Sequence, residues 1–398
     1  MALQQCIAVI ALAGLSALAG CSGSGRAQNP QEAKKQWMTA RSGVVYGVAQ
    51  QQFSGGDLDN CRKSLDESLK LDPTNVRAHV LSARVEIERG KLELAEKELQ
   101  YVRELDGANA QAYYLSGVVY QRWRRPATAL EMYSKAAELQ PAELAYLLAR
   151  AEMLVAMDRV ADALAVLKDR VVYFENSAAI RDAVGQVLAQ LGRGAEATEF
   201  FRQAHMLAAD DPVIAEHLAL SLLRTGKHAE AAQLLARMVR EPRLARRADL
   251  LLALGQCQLH LGKAADARET FESATQLDPA SFEAWLSLAK AALQLDDLRR
   301  ADLSIAKAMA LEPANSEGAL LLGYLRLRQN RLDHALAAFR TASSANPAET
   351  VALCMVGYVL EKMGRPDEAI ACYAQALRMR PNDELAAKLM AQSQPGRP

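Results

Sequence analysis

A 34-residue repeat runs from Ser42 to Asp383 with almost no slippage, and it restricts what this chain can fold into more than any other feature. A period of this length belongs to a stacked helical hairpin: one copy cannot bury its apolar side alone, whereas neighbouring copies bury a continuous core. The repeats fall at 42–75, 76–109, 110–143, 144–177, 178–211, 212–247, 248–281, 282–315, 316–349 and 350–383. Their eighth residue is always small: Ala49, Ala83, Gly117, Ala151, Gly185, Ala219, Gly255, Ala289, Gly323 and Gly357. The twentieth is Ala in every copy but the first, which carries Cys61. Two helices cross closely only where neither presents bulk, so these offsets mark the crossing point of a hairpin. One helical turn beyond, the twenty-fourth position holds Leu65, Leu99, Tyr133, Leu167, Phe201, Leu235, Phe271, Ile305, Phe339 and Tyr373. Pro73, Pro141, Pro279, Pro313, Pro347 and Pro381 then stop the second helix.

The third repeat carries Tyr113, Gly117, Tyr120, Ala129, Tyr133, Ala136 and Pro141, and the eighth carries Trp285, Leu288, Ala289, Ala301, Ala308 and Pro313. This pattern resembles the tetratricopeptide repeat, and the resemblance covers most of the chain. It implies an all-α, right-handed superhelical solenoid of about ten helix-turn-helix repeats, with a concave groove lined mainly by the first helix of each pair. Terminal helices are expected to cap it, at 31–41 with Trp37 and from 384 onward, before a frayed tail ending at Pro398.

Two copies depart from the pattern. The fourth has Arg170 where a small residue is usual and ends in Val171, Val172, Tyr173 and Phe174 without Pro, which predicts a longer or rotated second helix. The sixth runs into the seventh through two extra residues, predicting a bend or a loosening there. Arg237, Arg240, Arg243, Arg246 and Arg247 cluster at that junction, a candidate contact for an acidic partner or a phosphate, although a solvated turn is the simpler reading.

The first twenty residues read as a targeting segment. Ile7 to Ala19 are apolar or small, too short a run to span a bilayer comfortably but right for a signal-peptide core. Leu18-Ala19-Gly20-Cys21 resembles a bacterial lipobox, which implies cleavage before Cys21 and acylation of that residue; Met1 to Gln5 lack the usual Lys or Arg. Ser22, and not Asp, follows Cys21, so the periplasmic face of the outer membrane is the expected location. Residues 21–30 form a flexible tether reaching on the order of 30 Å from a stably held, multiply acylated Cys21.

Lys plus Arg and Asp plus Glu are both 47, so the basic excess that general nucleic-acid binding needs is missing. Cys61 reads as a small core residue; Cys354 and Cys372 lie on the two helices of one hairpin, with offsets that do not clearly face each other. No Cys-x-x-Cys pair exists. His79, His205, His217, His228, His260 and His334 are spread over the repeats with no evident shared face. No phosphate-cradling loop appears, and Gly192, Gly226 and Gly262 fall instead at the tight turn within a hairpin. The expectation is a chain that is not an enzyme, with no cofactor, no metal and no small-molecule substrate.

The family's groove offsets place Tyr46, Gln50, Arg77, Arg84, Gln111, Tyr114, Glu152, Gln186, Glu216, Lys290, Leu320, Tyr324, Tyr358 and Glu361 at the concave face, with no Asn and no clamp for a terminal carboxylate. Any single Leu or Tyr among them is as readily explained by packing between repeats. A mixed lining of this kind suits a folded partner or an amphipathic helix. The sequence therefore predicts a lipid-anchored envelope scaffold docking partner proteins of pilus, secretion, polysaccharide-export or outer-membrane assembly. The alternative is an accessory subunit of a separately encoded hydrolase or glycosyltransferase.

Overall fold

A computed structural model describes residues 29–393; the signal segment, Cys21, most of the tether and the last five residues lie outside the described residues. The described residues form 21 α-helices. In the first unit, which ends at Met157, α1 (Pro30–Ser54) pairs with α2 (Leu58–Leu71), α3 (Val76–Glu88) with α4 (Leu92–Leu105), and α5 (Ala110–Arg122) with α6 (Pro126–Leu139), followed by α7 (Leu144–Ala156). The second unit starts with α8 (Val160–Arg170). Its hairpins are α9 (Ala178–Gln190) with α10 (Gly194–Leu207), α11 (Pro212–Arg224) with α12 (His228–Met238), α13 (Ala248–His260) with α14 (Ala264–Leu277), α15 (Phe282–Gln294) with α16 (Leu298–Leu311), α17 (Ser316–Arg328) with α18 (Leu332–Ala345), and α19 (Thr350–Lys362) with α20 (Pro366–Met379), closed by α21 (Glu384–Ser393). No described helix is long and apolar enough to cross a membrane.

Within the hairpins of each unit the eighth and twenty-fourth residues meet. Where the eighth is Gly, the twenty-fourth is an aromatic ring; where it is Ala, the partner is Leu or Ile. This matching of residue types holds in all ten copies. A Cβ added to Gly117, Gly185, Gly255, Gly323 or Gly357 would fall no more than 2.7 Å from a ring carbon of Tyr133, Phe201, Phe271, Phe339 or Tyr373 respectively. These rings and the matching Leu65, Leu99, Leu167, Leu235 and Ile305 are all essentially inaccessible to water. The crossing point is thus filled to constant volume by two compensating choices, as close packing of a core requires.

Each hairpin turns through a left-handed residue at the fifteenth position. Gly56, Gly90, Gly192, Gly226, Gly262 and Gly364 take it with φ between 73° and 78°, and Arg124, Asp158, Asp296 and Asn330 adopt it at 56° to 60°. The next amide bonds back across the end of the helix, as Arg125 N does to Tyr120 O at 2.9 Å, closing a Schellman-type cap. Polar ties then link hairpins. Arg62 of α2 donates to Ser82 and Glu86 of α3, both at 2.9 Å. His217 Nδ1 of α11 donates to Asp182 Oδ1 of α9 at 2.8 Å, and Asp182 raises the His217 pKa against the opposing effect of burial.

Several sequence expectations change. The leading segment is not a separate lid: α1 is one continuous helix of 25 residues, because no Pro follows Pro30 and nothing between Arg41 and Ser42 breaks the hydrogen-bond ladder. Residues 31–41 are almost wholly exposed, Trp37 by 57 %, so they project past the first hairpin and do not cover it. At the other end α21 does pack on α19 and α20, burying Ala386 and Leu389.

The second helix of the fourth repeat is shorter than its counterparts and not longer. It has 11 residues, as does α12, whereas every other second helix has 14. Both short helices carry a long side chain, Arg170 or Met238, at the twenty-seventh offset, where the others have buried Ser68, Val102 or Ala. Arg170 is only partly buried, whereas Met238 is itself buried, so the two copies share the shortening but not the environment of the larger residue. The extra residues after α12 do not make a loose linker. Residues 239–247 close in successive turns, with Arg240 N on Arg237 O, Leu244 N on Glu241 O and Arg247 N on Leu244 O, and α12 stays packed on α13.

The turn geometry predicts that Arg124→Gly raises stability and Gly262→Ala lowers it, each by about 1 kcal/mol in denaturant unfolding, because a side chain in the left-handed region strains the backbone. The His217–Asp182 tie carries a sign with pH. A raised folded pKa means its stabilisation is full below about pH 6.5 and is lost as pH rises through the folded value. The stability gap between the native chain and His217→Gln therefore narrows as unfolding is followed from acid to mildly alkaline pH.

Candidate interaction surfaces

In the first unit the first helices α1, α3 and α5 bring Tyr46, Gln50, Arg77, Arg84 and Gln111 around one open cavity of about 440 Å³. Phe53, Val76, Val80, Leu81 and Asn109 complete its wall. Phe53 and Val80 also sit at groove offsets, but their apolar character reads as core in a sequence. Asn109 escapes the offset rule because it precedes α5: its side chain caps that helix, accepting from Ala112 N at 3.0 Å. Arg84 stacks its guanidinium over Phe53 at 4.6 Å from the ring centre.

The remaining expected groove residues of this unit are engaged by neighbours. Tyr114 packs half-buried between Tyr133 and Tyr146, ring centres 5.5 and 4.9 Å away. Glu152 accepts from Gln121 Nε2 at 3.0 Å, and Gln121 in turn accepts from Tyr133 OH at 2.6 Å.

In the second unit the groove positions form several separate sites. Gln186 donates to Asp182 at 2.6 Å, beside a cavity that it shares with Phe201, His217 and Arg224. Lys290 pairs with Glu317 at 2.6 Å, lining a cavity of about 560 Å³ with Leu259, Phe282 and Leu286, where Gln256 also donates to Glu283 at 2.9 Å. Leu320, Tyr324 and Tyr358 pack against the buried cluster of Phe339 and Tyr373, so packing and not exposure dominates their role. Glu361 accepts from Ser393 Oγ at 2.9 Å and so ties α21 to α19.

The arginine cluster at the junction divides. Arg237, Arg240, Arg243 and Arg246 are exposed, while Arg247 is held by Glu216 at 2.8 Å and Asp249 at 2.5 Å. Arg247 is thus part of an ion-pair network, and the charge open to solvent is smaller than the sequence indicates. Two histidines that look scattered in the sequence come together: His228 and His260 stack with ring centres 4.2 Å apart and planes 5° from parallel. One sits at the start of α12 and the other at the end of α13, positions far apart in sequence that repeat stacking superposes. Among the described residues no three His, Cys, Asp or Glu side chains gather as a metal site. Cys61, Cys257, Cys354 and Cys372 are free thiols, and burial pushes the Cys354 thiol up to about 12.

Residues 110–143 match the family model for the tetratricopeptide repeat, and residues 211–395 match the C-terminal domain of cilia and flagella-associated protein 70. No curated protein matches the sequence. Among solved structures, the chain is similar to the APC/C hetero-tetramer Cut9–Hcn1 with 16 % identity over 88 % of this chain and 76 % of that one, at a TM-score of 0.49. It is similar to yeast Tom70 with 13 % identity over 89 % and 88 %, at 0.45, and to a thermophilic repeat protein of Thermus thermophilus with 22 % identity over 46 % and 98 %, at 0.40. Likeness at this level says nothing about partners. Ten copies of one residue pattern, first helices that begin at its boundaries from the second copy onward, and the match over residues 110–143 make this chain a tetratricopeptide-repeat protein, a scaffold for protein–protein interaction.

Proposed function

We propose that this scaffold is held at a bacterial envelope membrane through acylated Cys21 and docks protein components of an envelope machine on its first-helix faces. The observation that carries the docking reading is the open cavity of the first unit, where Tyr46, Gln50, Phe53, Arg77, Arg84 and Gln111 present aromatic, amide and cationic groups together. Such a mixture of apolar walls and unspent donors is what a protein-binding patch offers. The anchor reading rests on Leu18-Ala19-Gly20-Cys21 and on the eight residues, 22–29, that separate Cys21 from the start of α1. More than one acyl chain on Cys21 makes attachment durable.

Two experiments test this reading. Cys21→Ser moves the chain from the membrane pellet to the soluble fraction of lysed cells, and an unchanged distribution rejects the anchor. A photo-crosslinker at Gln50 or Gln111 captures envelope proteins in living cells, whereas one at buried Leu99 does not; equal, empty results at all three positions reject docking at this face.

A further inference from the structure

The first unit's cavity differs in charge from the surfaces of the second. Its wall contains two arginines and no carboxylate. Among the described residues, neither Arg77 nor Arg84 has a carboxylate within ion-pair distance; Arg41, Arg62, Arg89 and Arg103 of the same unit are paired, and Arg122, Arg124, Arg125 and Arg150, also without an ion pair, lie outside this cavity's wall. In the second unit Lys290 is already paired with Glu317, and although Arg224 lines a cavity with no carboxylate in its wall, it is the single arginine there, so the two-arginine arrangement belongs to the first unit's cavity. Arg84 is also oriented, its guanidinium resting on Phe53. Resting on a ring removes part of its hydration and freedom without neutralising it.

Arg77 and Arg84 lie seven residues apart on α3, two turns or about 10 Å along the axis. With their attachment points two turns apart, two separate anionic groups fit them more directly than a single one. Val80 lies between them on the cavity floor, with Tyr46 and Phe53 on its wall. Gln50 and Gln111 flank these groups with side-chain amides that no other group among the described residues engages.

We propose that this cavity binds an acidic, partly apolar segment of a partner protein, with two side-chain carboxylates on Arg77 and Arg84 and an apolar side chain between them on Val80 and Phe53. The spacing of the two guanidiniums asks for carboxylates about three residues apart in an extended segment, or about seven apart on a helix. Guanidinium and carboxylate pair through two parallel hydrogen bonds, which fixes register as well as charge. The proposal rests on the docking reading above and specifies what one of its faces takes.

The test uses the full chain and a displayed library of random peptides whose carboxyl ends are joined to the carrier, so that no free chain end takes part. Selected peptides carry two Asp or Glu at the stated spacing around an apolar residue, and they crosslink to a photo-reactive group at Gln111. In fluorescence anisotropy, Arg77→Gln and Arg84→Gln each weaken such a peptide about tenfold, Lys290→Gln changes it little, and added salt weakens it steeply. Both arginines are exposed, so these variants keep native helix content by circular dichroism. Peptides that occupy the cavity but show no acidic bias, that carry a phosphate in preference to paired carboxylates when phosphopeptides are offered, or that ignore both arginine substitutions, overturn the proposal while leaving docking intact. A library that yields no peptide crosslinked at Gln111 overturns the proposal and the docking reading together.

Discussion

The fold depends on the contact between the eighth and twenty-fourth residues of each repeat, where two antiparallel helices come closest. The first helix gives up its side chain whenever the second brings a ring: Gly255 lies under Phe271 and Gly323 under Phe339, while Ala83 meets Leu99 and Ala289 meets Ile305. A methyl group given up on one side is matched by bulk on the other, so the crossing is filled whichever pair occupies it. Because each hairpin touches chiefly its neighbours, this local fit sets how the next hairpin seats, and errors in it would propagate.

That local regularity leaves the outer surfaces free to vary. The short helices α8 and α12 show the tolerance of the array: each is three residues shorter than the other second helices, and hydrogen-bonded turns take up the chain that remains. Charge varies in the same way. Lys290 in the second unit is paired with Glu317 and Lys362 lies over the Tyr358 ring, whereas Arg77 and Arg84 in the first unit stand together without a carboxylate beside apolar walls. Identical scaffolding thus presents faces of different chemistry.

Much of this was legible in the sequence because the repeat reports its own register. The starts at Val76, Ala110 and Phe282 coincide with helix starts, and Gly192, Gly226 and Gly262 adopt the left-handed turn that their place in the hairpin requires. What the sequence hides is exclusion and juxtaposition. Nothing in residues 31–41 announces that they continue into α1, because a helix ends only where a residue ends it, and none does. Groove offsets say which way a side chain starts but not what it meets: Tyr114 and Tyr324 turn into rings of the following helices, while Arg84 and Phe53 stack at the open face. The stacking of His228 on His260 follows from repeat superposition and has no motif of its own.

The volume-matching account is tested most directly by a double-mutant cycle at Gly255 and Phe271. Alone, Gly255→Ala overpacks the crossing and destabilises by about 1–3 kcal/mol, and Phe271→Leu leaves a void costing about 1 kcal/mol or more. Together they recreate the Ala and Leu pair that repeats such as Ala219 and Leu235 already use. The account predicts that the double variant recovers most of the loss, with a coupling energy of at least about 1 kcal/mol. Additive losses, with the double variant less stable than either single one, would contradict it.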